Sequence, residues 1–191
     1  MKDKLLTKKA DELYQKANGL LSSYPFRDTA RKYFDYVEVV GAAATNLMLD
    51  PDIDFDCLVP YLDKQVLLRF VGDLLSIKGC KKIILYNHLS EESPYLIVNV
   101  ENFDFADEKW ILTFFIAEGE GRSAHNKVEW LQTNLTGQSR KTILRFKNFR
   151  IKQSLERLIP SNVIYDAVIS ENIRTEAAFK DYLLKRGIEI S

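Results

Sequence analysis

Cysteine is nearly absent from this chain: Cys57 and Cys80 are the only two in 191 residues. Both lie among strand-forming apolar neighbours, so they read as reduced core thiols, and no disulfide or thiolate metal site is expected. Histidine is as scarce. His88 and His125 have no metal-ligand partner at helical or strand spacing, and neither supports a catalytic role. Excess charge is absent as well, with 27 Lys and Arg against 27 Asp and Glu. No whole-molecule field therefore marks a membrane as partner, and nucleic acid is a partner the net charge does not indicate. No apolar run approaches the roughly 20 residues needed to span a bilayer. The opening Met1 to Lys9 stretch is a charged helix start without the long apolar core of a signal peptide. A soluble, cytoplasmic protein is expected.

What is present is enough apolar residue, 46% of the chain, for one good core with a helical appendage. Residues 3–22 carry Leu5, Leu6, Leu13, Ala17, Leu20 and Leu21 at helical spacing, and Phe26–Tyr33 can form a second short helix. A strand at Val37–Val40 follows. Lys64–Ile77 reads as a helix stopped by Gly79. Strands are expected at Lys81–Tyr86, Tyr95–Val100 and Trp110–Ile116, joined by polar loops over Asn87–Pro94 and Glu101–Lys109. Beyond Ala124 the pattern is helical, over 124–134, 138–158, 161–171 and 175–187. The fold class is α+β: a small mixed β-sheet with flanking helices, then a C-terminal helical unit. The composition shift divides a domain at 1–120 from a helical unit at 121–191, with a cleft between them.

The chemistry concentrates at residues 37–59. A β-branched run stops at Gly41, a short helix-capable stretch follows, and a strand begins Asp52-Ile53-Asp54-Phe55-Asp56. Its period of two puts all three acids on one face and Ile53, Phe55 and Cys57 on the other. Crowding like charges on one strand face is costly, and a hard divalent cation with oxygen ligands is the usual compensation. A solvent-facing edge strand with incidental acids is the plainer alternative. Asp56 reads as an outer ligand or a solvated acid, and Asp50, before Pro51, as a turn former. A second feature is the run from Arg140 to Lys152, with six cations and no acid. It reads either as a basic helix lining the cleft and meeting a nucleoside triphosphate or an acidic or nucleic-acid substrate, or as a solvated helix face. Ile143, Leu144, Phe146, Phe149 and Ile151 between the cations read as core contacts.

Gly41 followed eleven residues later by Asp52-Ile53-Asp54 resembles the signature of the nucleotidyltransferase superfamily, which includes DNA polymerase β. Within it the chain most resembles the uncharacterised GrpB-like branch, whose closing helices are similar to residues 162–183. The resemblance implies a polymerase-β-like fold and Mg²⁺- or Mn²⁺-dependent transfer of a nucleoside monophosphate from an NTP to an acceptor hydroxyl. It makes Asp52 and Asp54 the catalytic metal ligands and Gly41 and Ala42 the turn against the nucleotide phosphates. Arg140 and Lys141 are the cations expected to join them there. Two departures stand out. The turn is Gly41-Ala42, without the serine found in many relatives. The third carboxylate, expected three residues after Trp110, is replaced by Thr113, so Asp104, Asp107, Glu118 or Glu120 must substitute or the metal site is incomplete. An incomplete site implies a catalytically impaired member that still binds a nucleotide or a protein partner. A small hydrolase with a different metal is a third reading. Arg122-Ser123 is a weak phosphate-binding signal.

Overall fold

The computed structural model describes residues 2–119 and 124–190. Helix α1 (Lys2–Ser23) is followed by α2 (Phe26–Arg31), β1 (Tyr36–Val40), α3 (Gly41–Thr45), β2 (Asp52–Val59) and α4 (Lys64–Leu75). Three strands follow, β3 (Ile83–His88), β4 (Tyr95–Phe105) and β5 (Glu108–Glu118). The chain then turns helical through α5 (His125–Asn134), α6 (Gly137–Lys152), α7 (Ser161–Tyr165), a π-helical turn over Asp166–Ser170, and α8 (Glu176–Lys185).

The sheet is mixed, in the order β1-β2-β5-β4-β3, with β2 and β5 parallel and every other pair antiparallel. The alternation along β2 does what the sequence pattern demands. Ile53, Phe55 and Cys57 are fully buried, and Phe55 stacks on Phe114 of β5 at 4.5 Å. They join Leu13 and Leu20 of α1, Phe26 of α2 and Phe70 of α4 in the main core beneath the sheet. A second core gathers Ile143 and Phe146 of α6, Ile164 of α7 and Phe179 of α8. Ala10 of α1, with Leu47 and Leu49 between α3 and β2, also belongs to it. Residues on both sides of position 120 thus share the second core.

Two expected boundaries differ from the structure. The stretch 101–109 is not a loop: β4 runs to Phe105, and Ala106 and Asp107 alone make the turn into β5. Both turn residues are left-handed, at φ 50° and 63°, the two-residue geometry that matches strand twist in a hairpin. Polar composition hid this turn because Glu101 and Asp104 sit on the exposed side of a hairpin arm, paired with Lys82 and Lys81. The helix expected to reach residue 158 stops at Lys152. Ser154 goes left-handed at φ 53°, and Arg150 bonds to the carbonyl of Ile159 at 3.0 Å, folding the chain back.

Candidate active site

The site is built at the β1–α3–β2 turn. Val40 is extended at φ −126°, and Gly41 then takes φ +64° to start α3. A Cβ on Gly41 would stand 2.8 Å from Oδ2 of Asp54, so glycine is required both by the left-handed backbone and by the carboxylate pressed against it. Helix α3 closes with Asn46 at φ 53°, and Asp52 and Asp54 follow on one face of β2. In the sheet Asp54 is the partner of Val40 in β1 and of Thr113 in β5. Paired residues point to the same side, so the hydroxyl of Thr113 lies on the acidic face, beside Asp54.

Helix α6 supplies the opposite wall. Thr136 caps it, exchanging hydrogen bonds with Ser139, the reciprocal arrangement that fixes a helix start. Its buried stripe runs Ile143, Phe146, Lys147, Arg150, so two cations stand at positions where the helical period puts core residues. Lys147 is 4% exposed and donates to the carbonyl of Leu47 at 2.8 Å. Arg150 holds the start of α7, donating to Ser161 Oγ at 3.1 Å and to the Ile159 carbonyl. Between the walls lies a cavity of about 170 Å³. Gly41, Ala42, Asp50, Asp52 and Asp54 form one side, and Lys147, Arg150, Ser161 and Tyr165 the other.

Electrostatics inside the cavity follow from burial. Burial, then the neighbouring Asp54 charge, pushes the Asp52 carboxyl up to about 7, against the pull of Lys147. Asp54 is raised too, by burial. Burial and then Arg150 bring Lys147 down to about 8, while the three aspartates oppose that shift. Tyr165 is pushed up to about 12 by burial. One oxygen of Asp52 is buried and accepts no hydrogen bond. A buried carboxylate oxygen left bare is expensive, and a second carboxylate, Asp54, lines the same wall of the cavity. That donor set fits one hard divalent cation held by Asp52 and Asp54. A third acidic ligand is missing: among the described residues no group of three His, Cys, Asp or Glu side chains converges as a metal site.

The substitutes for the third acid lie elsewhere. Asp104 is ion-paired with Lys81 and Lys109 on the β4–β5 hairpin, Asp107 is in that hairpin's turn, and Glu118 accepts from the Leu62 N–H. Glu120, Arg122 and Ser123 fall outside the described residues. Asp56 is neither solvated nor open to a metal: it is 1% exposed and accepts the Ala124 N–H at 2.7 Å, tying the start of α5 to the sheet. Arg140 and Lys141 are not brought to the acids. Arg140 donates to Asp11, to the Asn46 carbonyl and to the Asn46 side chain, bracing α1 and α6 against the end of α3. Lys141 is exposed over a separate hollow beside α1. The cations of the site, Lys147 and Arg150, were within the basic run. Their signal was spacing: like Arg140 they fall on the stripe of Ile143, but of the three only they are buried there, where a charge must find a partner.

Solved structures of known proteins share this fold. The Cid1 poly(U) polymerase bound to a UTP analogue is 14% identical with a TM-score of 0.56, over 84% of this chain and 50% of that one. A cytoplasmic RNA terminal U-transferase is 14% identical with a TM-score of 0.55, over 84% and 52%. The chain has the nucleotidyltransferase fold. A further Cid1 structure is 15% identical with a TM-score of 0.55, over 85% of this chain and 53% of that one. The chain therefore spans about half the length of the nucleotidyltransferases it matches. No protein-family model matches the sequence, and no curated protein does. Among the described residues, no helix is long and apolar enough to cross a membrane.

Proposed function

We propose that this nucleotidyltransferase-fold protein binds the phosphates of a nucleoside triphosphate together with one Mg²⁺ or Mn²⁺ at Asp52 and Asp54. With two carboxylates where the superfamily it resembles would place three, it catalyses transfer slowly: the acceptor hydroxyl attacks the α-phosphate, takes the nucleoside monophosphate and releases pyrophosphate. The observation that carries this reading is the bare Asp52 oxygen beside Asp54, in the wall of a cavity that backs onto the Gly41 turn. The bound cation would supply charge neutralisation on the phosphates and acidify an attacking hydroxyl. The chain's own groups do the rest. Gly41 and Ala42 present backbone without a side chain in the way. Lys147 and Arg150 face phosphate charge from the opposite wall. A cavity of about 170 Å³ is smaller than the roughly 300 Å³ of sites that enclose a whole small ligand. It takes phosphates and leaves the nucleoside in the open cleft.

Kinship with the GrpB-like branch rests on Trp110 and on residues 162–183, and a cytoplasmic setting fits the free thiols of Cys57 and Cys80. A second reading, nucleotide binding without turnover, is favoured by the placement of Thr113 beside Asp54. Both readings share one test. A nucleoside triphosphate should raise the melting temperature more with Mg²⁺ than without it, and Asp54→Asn should abolish that difference. Radiolabelled transfer to nucleosides and oligonucleotides then separates slow turnover from none. An equal nucleotide response with and without Mg²⁺ would remove the metal site from Asp52 and Asp54.

A further inference from the structure

The two edges of the sheet are treated differently. At one edge, β1 carries Glu38, ion-paired with Arg27 and Arg31, and α2, α3 and α5 all pack against it. At the other edge, β3 pairs only with β4, and its outer side meets no strand among the described residues. Its sequence, Ile83-Ile84-Leu85-Tyr86-Asn87-His88, contains no Lys, Arg, Asp, Glu, Pro or Gly. Those are the residues with which natural proteins blunt an open edge. Leu85 and Tyr86 point to opposite faces and are each 43% exposed, so a strand added here would gain apolar cover on both sides.

The flanking charges say which strand fits. Lys81 and Lys82 precede β3, and Glu91 and Glu92 follow it in the next turn. A parallel neighbour of the same sequence would set like charge against like. An antiparallel neighbour sets each basic end toward an acidic end. With Tyr86 opposite its own copy, Lys81 comes opposite Glu91, and Lys82 and Glu92 are diagonal neighbours. Lys81 and Lys82 now pair with Asp104 and Glu101 at exposed sites, and such pairs exchange at little cost.

We propose that β3 is a homodimerisation edge: two copies pair antiparallel through Ile83–His88 and merge their sheets into one of ten strands. Main-chain hydrogen bonds supply the adhesion, and the basic and acidic ends set direction and register.

The test uses the full chain in sedimentation equilibrium over about 1 µM to about 1 mM protein, the range of weak and moderate self-association. The native chain should show a monomer–dimer equilibrium. Tyr86→Lys, which places a charge on the exposed edge, should be monomeric with an unchanged far-ultraviolet spectrum and melting temperature. Two charge-reversed variants give the register arm. K81E/K82E and E91K/E92K should each dimerise at least about tenfold more weakly than the native chain, since exposed attractions become repulsions. Mixed in equal amounts they should form a heterodimer, because each then meets an end of opposite charge. A native chain monomeric throughout overturns the proposal. So does a dimer that persists in Tyr86→Lys, or reversed variants that show no preference for each other.

Discussion

Thr113→Asp tests the proposed two-carboxylate metal site at the position where the superfamily resemblance leads one to expect a third acid. Residue 113 is the β5 partner of Asp54, about 4.8 Å away across the parallel ladder, half-buried and on the acidic face. Without metal, the new acid joins two carboxylates whose proton affinities are already raised by burial and crowding. Like charges opposite each other across strands cost up to about 1 kcal/mol, and partial burial adds to that. A loss of about 1–2 kcal/mol corresponds to a melting temperature lower by roughly 4 °C for a chain of this size. With metal the sign reverses. A third carboxylate should tighten Mg²⁺ binding at least tenfold, and metal held at 100 times its Kd returns about 2.7 kcal/mol. The variant should therefore melt below the native protein in EDTA and above it in millimolar Mg²⁺. Calorimetric titration of Mg²⁺ and Mn²⁺ into both proteins, with transfer assays alongside, reads the effect directly. Tight Mg²⁺ binding by the native chain, unimproved or damaged by the substitution, would refute the reasoning and mean that two carboxylates suffice.

Three further outcomes are expected. Because the folded Asp52 carboxyl titrates near 7 against an ordinary value of 3.8, the native state binds the proton more tightly than the unfolded chain. Stability without metal should accordingly fall as pH rises from about 4 to about 7, by an amount on the order of a few kcal/mol. Chemical denaturation across that range should show the slope, and Asp52→Asn should flatten it. Gly41→Ala forces a left-handed alanine, at about 1–2 kcal/mol, and a Cβ 2.8 Å from Asp54 Oδ2; the melting temperature and the Mg²⁺-dependent nucleotide response should fall together. Arg140→Ala removes three hydrogen bonds to Asp11 and Asn46 and should cost about 1–3 kcal/mol. Its effect on nucleotide binding should be no larger than its effect on stability, which thermal shift with and without nucleotide compares.

The strands and the acidic cluster were legible because they rest on local rules. The alternation in Asp52–Asp56 fixes which side chains share a face whatever the rest of the fold does, and Gly41 marks the turn by its own backbone. The identity of the opposing cations was not legible by composition. Arg140 and Lys147 are both basic residues on the same side of one helix, and only their position along its axis separates them. Seven residues, nearly two turns, set them apart along the axis, so Arg140 reaches Asn46 while Lys147 reaches Leu47 and the cavity. The β4–β5 turn was missed for the opposite reason. Charged residues on the open side of a hairpin look like a loop when only their polarity is read. The end of α6 depended on a contact between Arg150 and Ile159, which no window of sequence displays.

Thr113 and Lys147 are best understood together, through the charge the cavity can hold. Asp50, Asp52, Asp54, Lys147 and Arg150 all line a space of about 170 Å³, where unpaired charge is costly. Burial holds both Asp52 and Asp54 toward their protonated forms, which cuts the negative charge crowded opposite Lys147 and Arg150. An aspartate at 113 would add to that negative charge and leave the empty site short of positive charge. Threonine adds no further charge there. The same crowding makes ligand entry a coupled event, since a divalent cation displaces the Asp52 proton while phosphate oxygens meet Lys147 and Arg150. Metal and nucleotide should therefore bind cooperatively, each supplying the charge that the other needs. Lys147→Met separates this from simple metal chelation. Without the ammonium, Mg²⁺ alone should bind at least as well, because a cation no longer opposes it. The nucleotide should lose affinity, and its coupling to Mg²⁺ should shrink by the charge removed. A variant that binds Mg²⁺–nucleotide as the native protein does would place the phosphates outside this cavity.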